Sequence, residues 1–234
     1  MHSKKLLSRR NFFILAGAAG AGLMEGCSKS PRSQVEYSGT AIEILERQHG
    51  LNRRALAILH KIKNGINAQM AISPEVAGGA VEIIRAFMID CHQAMEEKYV
   101  FPVFGASQQT AELIAVLRKQ HAAASQLTGI LKPLCADFSQ NDQANRRKAV
   151  TMIHLLTYMS DAHESWEDTV LFPRLRADIS KTSYDGLTAQ LEAAETQFFG
   201  PRGYQETIQK IAALEQSLGI ANLASFTPRP EDLS

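Results

Sequence analysis

A histidine followed four residues later by a glutamate occurs twice in the chain, each time just before an apolar–Phe–Pro sequence whose proline, Pro102 or Pro173, is expected to end the helix. The first copy pairs His92 with Glu96, and the second pairs His163 with Glu167. Positions four apart lie above one another on an α-helix, so each copy can direct an imidazole nitrogen and a carboxylate oxygen to one point. Two such helices facing each other would surround a common centre with nitrogen and oxygen ligands. The pattern therefore predicts a metal site.

Four long segments with helical periodicity are available to position these groups. Each segment carries a histidine on its apolar stripe at a similar depth: His49 in 39–66, His92 in 74–102, His121 in 107–137 and His163 in 141–171. His60 shares a face with His49 but lies eleven residues, or ~16 Å, further along the helix, too far to be a ligand. Because only a few residues connect one segment to the next, we expect an antiparallel up-down-up-down four-helix bundle. Counted along the helices from the connecting turns, all four histidines fall in one layer to within about one turn.

The predicted fold class is therefore all-α, with the bundle spanning residues 38–175. Two shorter helical segments, 183–198 and 203–219, lie within an extension over 176–223. We expect these two helices to pack on the outside of the bundle. The last residues, 224–234, are expected to form a loose tail.

Burying four imidazoles and two carboxylates requires a compensating charge. Without partners, each such group costs several kcal/mol, and a divalent metal removes that cost. A mixed nitrogen and oxygen set suits iron or manganese, whereas the lack of cysteine ligands argues against a structural zinc or an iron–sulfur site. The ligand types alone do not distinguish Fe from Mn or Zn.

These motifs resemble the hemerythrin-like (HHE cation-binding) domain. Its signature is a His, then His-x3-Glu-Glu with Leu-Phe-Pro, then a His and a second His-x3-Glu unit. The resemblance covers residues 38–175, about 60% of the chain. It implies a non-haem di-iron centre with bridging carboxylates, and it implies these metal ligands: His49, His92, Glu96, His121, His163 and Glu167.

One position departs from the oxygen carriers of that family, which have a further histidine one turn after the ligand on the third helix. The matching residue here is Ser125, so one metal would keep an additional open position for water or another side chain. Gln120, Glu97 and Asp168 are nearby candidates for that position. The carriers' carboxylate on the fourth helix corresponds in spacing to Asp168. Glu167 is preferred because a spacing of four stacks better and repeats the first copy.

The N-terminus is typical of an export signal. Residues 1–27 contain an Arg9–Arg10 pair like that of the twin-arginine pattern, followed by a glycine-rich apolar run too short to span a membrane. Cys27 follows a glycine, as at the end of a lipoprotein signal, so lipidation at Cys27 and ordinary cleavage near it stay open as alternatives. A polar linker, 28–37, follows. The expected location is the periplasm or, through a lipidated Cys27, the outer side of the cytoplasmic membrane.

The balance of acidic and basic residues argues against nucleic acid as a partner. Without residues 1–27 the chain has 21 basic and 23 acidic residues. No basic cluster with interleaved aromatic residues is present, so nucleic-acid binding is not expected. The sequence carries no signal for a particular oligomeric state.

Several other residues are interpreted as structural. Cys91 and Cys135 would lie far apart in the predicted hairpin, so we interpret both as free core residues rather than a disulfide. Tyr158 and Trp166 are interpreted as core residues or as neighbours that support the ligands. His154 should face outward, because nine positions separate it from His163 on the same helix.

The first hypothesis for function is a di-iron module that binds or senses dioxygen or a related small oxidant outside the cytoplasm. The alternatives are a di-iron oxidoreductase acting on peroxide, nitric oxide or ferrous iron, and an iron-binding or storage bundle without gas chemistry. The sequence contains no recognisable arrangement for nucleophilic catalysis, no phosphate-binding loop and no substrate pocket outside the bundle. This favours binding over catalysis.

Overall fold

The computed structural model describes residues 39–104, 108–136 and 142–233, and the regular structure within these ranges is helical, without strands. The predicted export signal, Cys27 and the linker 28–37 lie outside the described residues, so those assignments stay predictions. Among the described residues, no helix combines the length and apolar character needed to cross a membrane.

The first two helices of the expected bundle are both present. Helix α1 spans Ala41–Asn67, and α2 begins as an α-helix over Pro74–Ile83. The second helix then departs from regular α-helical bonding. It continues through π-helical segments over Ile84–Gln93 and Glu96–Val100, and it ends in a 3₁₀ turn over Phe101–Val103.

The third and fourth helices of the expected bundle are also present, and the fourth departs from α-helical bonding near its end, as the second does. Helix α3 spans Gln108–Ala136, and α4 spans Gln143–Trp166 before a π-helical turn over Glu167–Leu171. The expectation that Pro173 ends this helix was wrong. The chain continues as α5 over Phe172–Asp178, because proline is tolerated in a first helical turn, where a missing N–H leaves no bond unmade.

The helix starts follow from local capping residues. Thr40 and Glu43 form a reciprocal capping box at the start of α1. The Ser73 side chain accepts a hydrogen bond from the backbone of α2, and Asp142 does the same for α4. Each cap satisfies N–H groups that have no acceptor within the helix.

Two further helices cover one side of these four. Helix α6 spans Lys181–Phe199 and packs against α1 and the π-helical part of the second helix, and α7 spans Gly203–Ser217 and packs against α1 and α2. The four long helices contact one another in turn: α1 with α2 and α4, and α3 with α4 and the second helix. The chain then ends in short, largely exposed 3₁₀ turns over Leu223–Phe226 and Pro230–Leu233.

The buried apolar residues form two clusters separated by a layer of buried polar side chains. On α1, His49 lies between Leu45 of one cluster and Leu51 of the other. On α3, His121 lies between Leu117 and Ala124 in the same way. The helices therefore bring their histidines into one buried layer between two apolar regions.

Candidate metal centre

The four histidines of this layer form two pairs. His49 Nε2 lies 3.0 Å from His92 Nε2, and His121 Nε2 lies 3.2 Å from His163 Nε2. All four side chains are buried. In the first pair, His49 lies on α1 and His92 on the second helix. In the second pair, His121 lies on α3 and His163 on α4.

Glu96 lies between the two pairs and is completely buried. Its Oε1 atom is 3.2 Å from His92 Nε2, and its Oε2 atom is 3.4 Å from His121 Nε2. A single carboxylate thus reaches a ring nitrogen of each pair. Such a position suits a carboxylate that bridges two cations.

Glu167 repeats this arrangement from the opposite helix. Its Oε2 atom is 3.2 Å from His163 Nε2 and 3.4 Å from His49 Nε2. The side chains therefore form two sets of four that could each hold a metal ion, with ligand atoms within 4.8 Å of one another: His49, His92, Glu96 and Glu167, and Glu96, His121, His163 and Glu167.

Each imidazole is held through its other nitrogen by an oxygen that can only accept a hydrogen bond. The contacts are His49 Nδ1 to Asp168 at 2.7 Å, His92 Nδ1 to Gln48 at 2.7 Å, His121 Nδ1 to Glu97 at 2.9 Å and His163 Nδ1 to Gln120 at 2.9 Å. The Nδ1 atom must then carry the proton, so the Nε2 atom of each neutral ring presents a lone pair to the centre. Oriented lone pairs of this kind are typical of metal-binding histidines.

The centre is built from two copies of the same two-helix unit. His121 follows His49 by 72 residues, and the second His-x3-Glu unit follows the first by 71. The Phe of each apolar–Phe–Pro sequence stacks on a histidine of the other unit: Phe172 on His49 and Phe101 on His121, both with ring centroids 5.5 Å apart. These contacts explain why the Phe–Pro sequences recur together with the ligands.

Glu96 and Glu167 each begin a π-helical turn. The Phe101 N–H donates to the Glu96 carbonyl, and the Phe172 N–H donates to the Glu167 carbonyl, one residue further back than in an α-helix. The proline after each Phe has no N–H to continue α-helical bonding. The two turns therefore set the helix geometry at the point where each carboxylate enters the centre.

The electrostatics of the layer favour a cation. Burial alone would lower the pKa of His49, but the neighbouring carboxylates of Asp168 and Glu167 outweigh burial and raise that pKa to about 10. Burial would also raise the pKa of Glu96, yet the facing imidazoles of His92 and His121 hold it well below its usual range. Positive charge, whether a proton or a metal ion, is thus stabilised at this point.

A further buried carboxylate stands beside the first pair. Burial raises the pKa of Glu164 to about 7. The Asn52 amide donates a hydrogen bond to Glu164, and Arg53 Nε lies 2.9 Å from its carboxylate. Arg53 also pairs with Asp168, the residue that holds His49. This network ties the first histidine pair to the α1–α4 interface.

The structure brings the six predicted ligands into one cluster and places Asp168, Glu97 and Gln120 at the Nδ1 atoms rather than among the ligand atoms. Ser125 belongs to neither set of ligand atoms, and its carbonyl accepts a hydrogen bond from Thr128.

Sequence reasoning missed Gln48 and misjudged the burial of two aromatic residues. Gln48 holds His92, and a signal was present, because Gln48–His49 and Gln120–His121 are the same dipeptide in the two units. Tyr158 and Trp166 are not core residues, since their exposed fractions are 73% and 57%, whereas Trp166 lines the same groove as the predicted ligand His163. Cys91 and Cys135 are free and buried, as expected, and His154 is exposed.

Comparison with known proteins agrees with this geometry. The chain matches the hemerythrin HHE cation binding domain over residues 40–159, and it belongs to that family. It is 32% identical over 225 residues to uncharacterized proteins of Mycobacterium bovis and Mycobacterium tuberculosis, covering 92% of this chain and 88% of each relative. No solved structure matches the chain. The matched range includes His49, His92, Glu96 and His121, and the second His-x3-Glu unit follows it.

The residues present fit a pair of metal ions. The carboxylate oxygens of Glu96 and Glu167 are fully buried and receive no hydrogen bond from any described residue. Each would be an uncompensated buried charge unless a cation lay against it. Nitrogen and carboxylate donors of this kind suit iron, manganese or zinc.

Proposed function

We propose that this chain holds two non-haem iron ions, one at each histidine pair, and that it binds or senses dioxygen or a related small oxidant outside the cytoplasm. The observation that carries the proposal is the pair of buried glutamates without hydrogen-bond donors. Each lies within 3.4 Å of a ring nitrogen from both histidine pairs.

Each part of the centre has a separate role in this proposal. The four Nε2 atoms hold the ions, and Glu96 and Glu167 bridge them. Asp168, Gln48, Glu97 and Gln120 keep the imidazoles in the protonation state and orientation that binding requires. Iron bound in this way supplies the redox chemistry, while the chain supplies ligands and a dry layer. Manganese or zinc could occupy the same ligands without moving the side chains, but the proposed iron chemistry with dioxygen would then be lost.

The arrangement around the centre is part of the same proposal. We take α1, the α2 segment, α3 and α4 to form an up-down-up-down bundle within residues 38–175, with α6 and α7 packed outside. The contacts of neighbouring helices support this order. The location outside the cytoplasm rests on the twin-arginine pattern at Arg9 and Arg10 and on Cys27.

A second candidate is a di-iron oxidoreductase acting on peroxide, nitric oxide or ferrous iron. One observation favours it: a groove between α3 and the end of α4 reaches His163 and Gln120. A molecule in this groove would lie next to the second histidine pair. Catalysis would then need access at one pair only.

The test is an optical spectrum of the iron-loaded full chain, reduced without oxygen and then exposed to dioxygen. Binding or sensing predicts one iron for each histidine pair and a spectral change that reverses when oxygen is removed. Sustained consumption of peroxide or nitric oxide would establish the oxidoreductase instead, and a reduced centre inert to oxygen would leave a storage role.

Two variants make this experiment specific. His92→Ala removes a ligand and should abolish the spectral change at the first pair. His154→Ala removes an exposed histidine on α4 and should leave iron content and spectrum as they are. A chain that takes up one zinc ion or no metal, with its helical signal intact, would contradict the proposal.

A further inference from the structure

The first histidine pair is covered by α6, and no helix within residues 39–104, 108–136 and 142–233 covers the second pair in the same way. Helix α6 places Leu187 and Leu191 in the buried cluster beside this pair. It also brings a carboxylate to the centre, because Gln48 Nε2 donates to Glu195 Oε1 at 2.7 Å. Glu195 is paired in turn with Arg47. The outer side of the first unit is thereby filled with apolar and acidic side chains.

The equivalent space on the second unit is a groove of about 440 Å³. Shifted by the repeat of 72 residues, Val116 corresponds to Ile44, which lies beneath α6. Val116 is 50% exposed, whereas Ile44 is 0% exposed. Shifted by 71 residues, Trp166 corresponds to Met95, and their exposed fractions are 57% and 1%. The groove is therefore the uncovered counterpart of a surface that the chain buries elsewhere.

The walls of the groove are apolar, and its polar groups lie towards its two ends. Apolar side chains from α3 and from the end of the fourth helix line it: Leu113, Val116, Leu117, Trp166, Val170 and Leu171. Gln120 and His163 line the groove on the side of the metal centre. Thr110 and Arg174 line the other end, and ten residues along α3 between Thr110 and Gln120 correspond to about 15 Å.

Arg174 brings an uncompensated positive charge to the groove. Its guanidinium donates to Thr110 Oγ1 at 3.0 Å and to Gln109 Oε1 at 3.1 Å, and both acceptors are neutral. It forms no ion pair with any acidic residue in the described ranges. The acidic residue of the lining, Glu112, accepts instead from Gln108 at 3.0 Å. The Arg174 guanidinium is therefore available to pair with an anionic group at this end.

We propose that the groove binds an organic carboxylate with an elongated apolar body. The carboxylate pairs with Arg174, and the apolar body lies between Val116 and Trp166 with its far end beside Gln120 and His163. A pocket of this volume, with apolar walls and a few polar groups, is of the kind that takes small organic ligands. This inference deepens the proposed function and rests on it for the nearness of a metal ion, whereas binding itself needs only the groove.

Trp166 is the single tryptophan of the chain, so its fluorescence reports on the groove directly. The experiment titrates the full chain with decanoate, with and without metal. Saturable binding with a blue shift of the emission is expected, since the ligand removes water from the indole. Decanol, which has the same chain without the charge, should bind at least about tenfold more weakly.

Three variants separate the groove from nonspecific effects. Arg174→Gln should weaken decanoate binding by about tenfold and leave decanol binding unchanged. Val116→Phe should fill the groove and weaken both ligands. Arg147→Gln removes an exposed arginine from the same helix as Trp166 and should change neither.

The proposal is overturned if decanoate gives no saturable signal, if decanol binds equally well, or if Arg174→Gln has no effect. It is also overturned if sedimentation shows a dimer and the Trp166 emission is already blue-shifted before ligand is added, because a second copy would then occupy the groove. These outcomes are independent of the proposed function. A chain that holds two irons and ignores decanoate keeps that function, and a chain that binds decanoate without holding metal loses it.

Discussion

The first histidine pair, His49 and His92, lies beneath α6, whereas the second pair, His121 and His163, borders the groove between α3 and α4. Both pairs direct Nε2 atoms to the centre, and the distances between these atoms are similar, at 3.0 Å in the first pair and 3.2 Å in the second. The supporting groups differ. Gln48 is completely buried and tied to Glu195, whereas Gln120 lines the groove.

This difference bears on the two tasks of the proposed function. To hold two cations, the centre would need matched ligands on both sides, and the repeated unit provides them. To admit a small molecule, one side would need to be open, and α6 covers the first pair while the groove borders the second.

The largest effect on metal binding is expected from Glu96, because its carboxylate faces both histidine pairs. Glu96→Gln removes a charge that faces both pairs, so both metal ions should be lost or bound only weakly. Metal analysis after loading and gel filtration measures this, with circular dichroism to show that the helices remain. Glu82→Gln, at an exposed position on α2, should retain the full metal content. Retention of two ions by Glu96→Gln would show that the carboxylate is not shared.

Thiol reactivity should distinguish the covered unit from the open one. Cys91 and Cys135 are fully buried, and burial raises the pKa of both thiols to about 12. Ala162, the counterpart of Cys91 on the second unit, lines the groove and is exposed. In a Cys27→Ser background, Ala162→Cys should introduce a thiol that reacts with iodoacetamide at pH 8 about a thousandfold faster than Cys91. A rate for Cys91 equal to that of the introduced thiol, followed by mass spectrometry, would mean that α6 does not close the first unit.

Stability should depend on the covering helix and not on the exposed groove. Leu191→Ala in α6 removes a fully buried side chain and should lower the free energy of unfolding by about 2–5 kcal/mol. Val116→Ala, on the half-exposed wall of the groove, should cost less than about 1 kcal/mol. Urea denaturation of the metal-free chain measures both. Similar losses for the two variants would indicate that the groove is filled in solution.

The smallest effects are expected from the two glutamines that hold Nδ1 atoms. Gln48→Ala should weaken metal binding by about 10–100-fold, because it frees the His92 ring and leaves Glu195 without its amide partner. Gln120→Ala should have a smaller effect, since water in the groove can replace the acceptor at His163. Competition with a chelator compares the two affinities. A larger loss for Gln120→Ala would reverse the assignment of the closed and open pairs.

The histidine layer could be predicted from the sequence because helix rise and short connections determine the depth of each residue. His49, His92, His121 and His163 lie where that count places them. Their hydrogen-bond partners could not be derived in the same way, since Gln48 reaches His92 only through the rotation of two helices about their axes. The repeated Gln–His dipeptide was the available signal.

The sequence also could not show that α6 covers the first unit and not the second. The segment of α6 shows a helical pattern, but nothing in that pattern states which face of the bundle it meets. Trp166 was therefore interpreted as a core residue or a neighbour of the ligands, and the structure leaves it exposed at the groove beside His163. The π-helical turns at Glu96 and Glu167 were missed for a related reason. The Phe–Pro sequences were interpreted as helix ends, and the rings that stack on the opposite unit were not anticipated.

The most direct test of the account is anomalous diffraction from crystals of the iron-loaded chain, recorded at the iron absorption edge. The account predicts one peak against His49 and His92 and a second against His121 and His163, with Glu96 and Glu167 touching both. A single peak, or peaks that share neither glutamate, would contradict the two-metal centre.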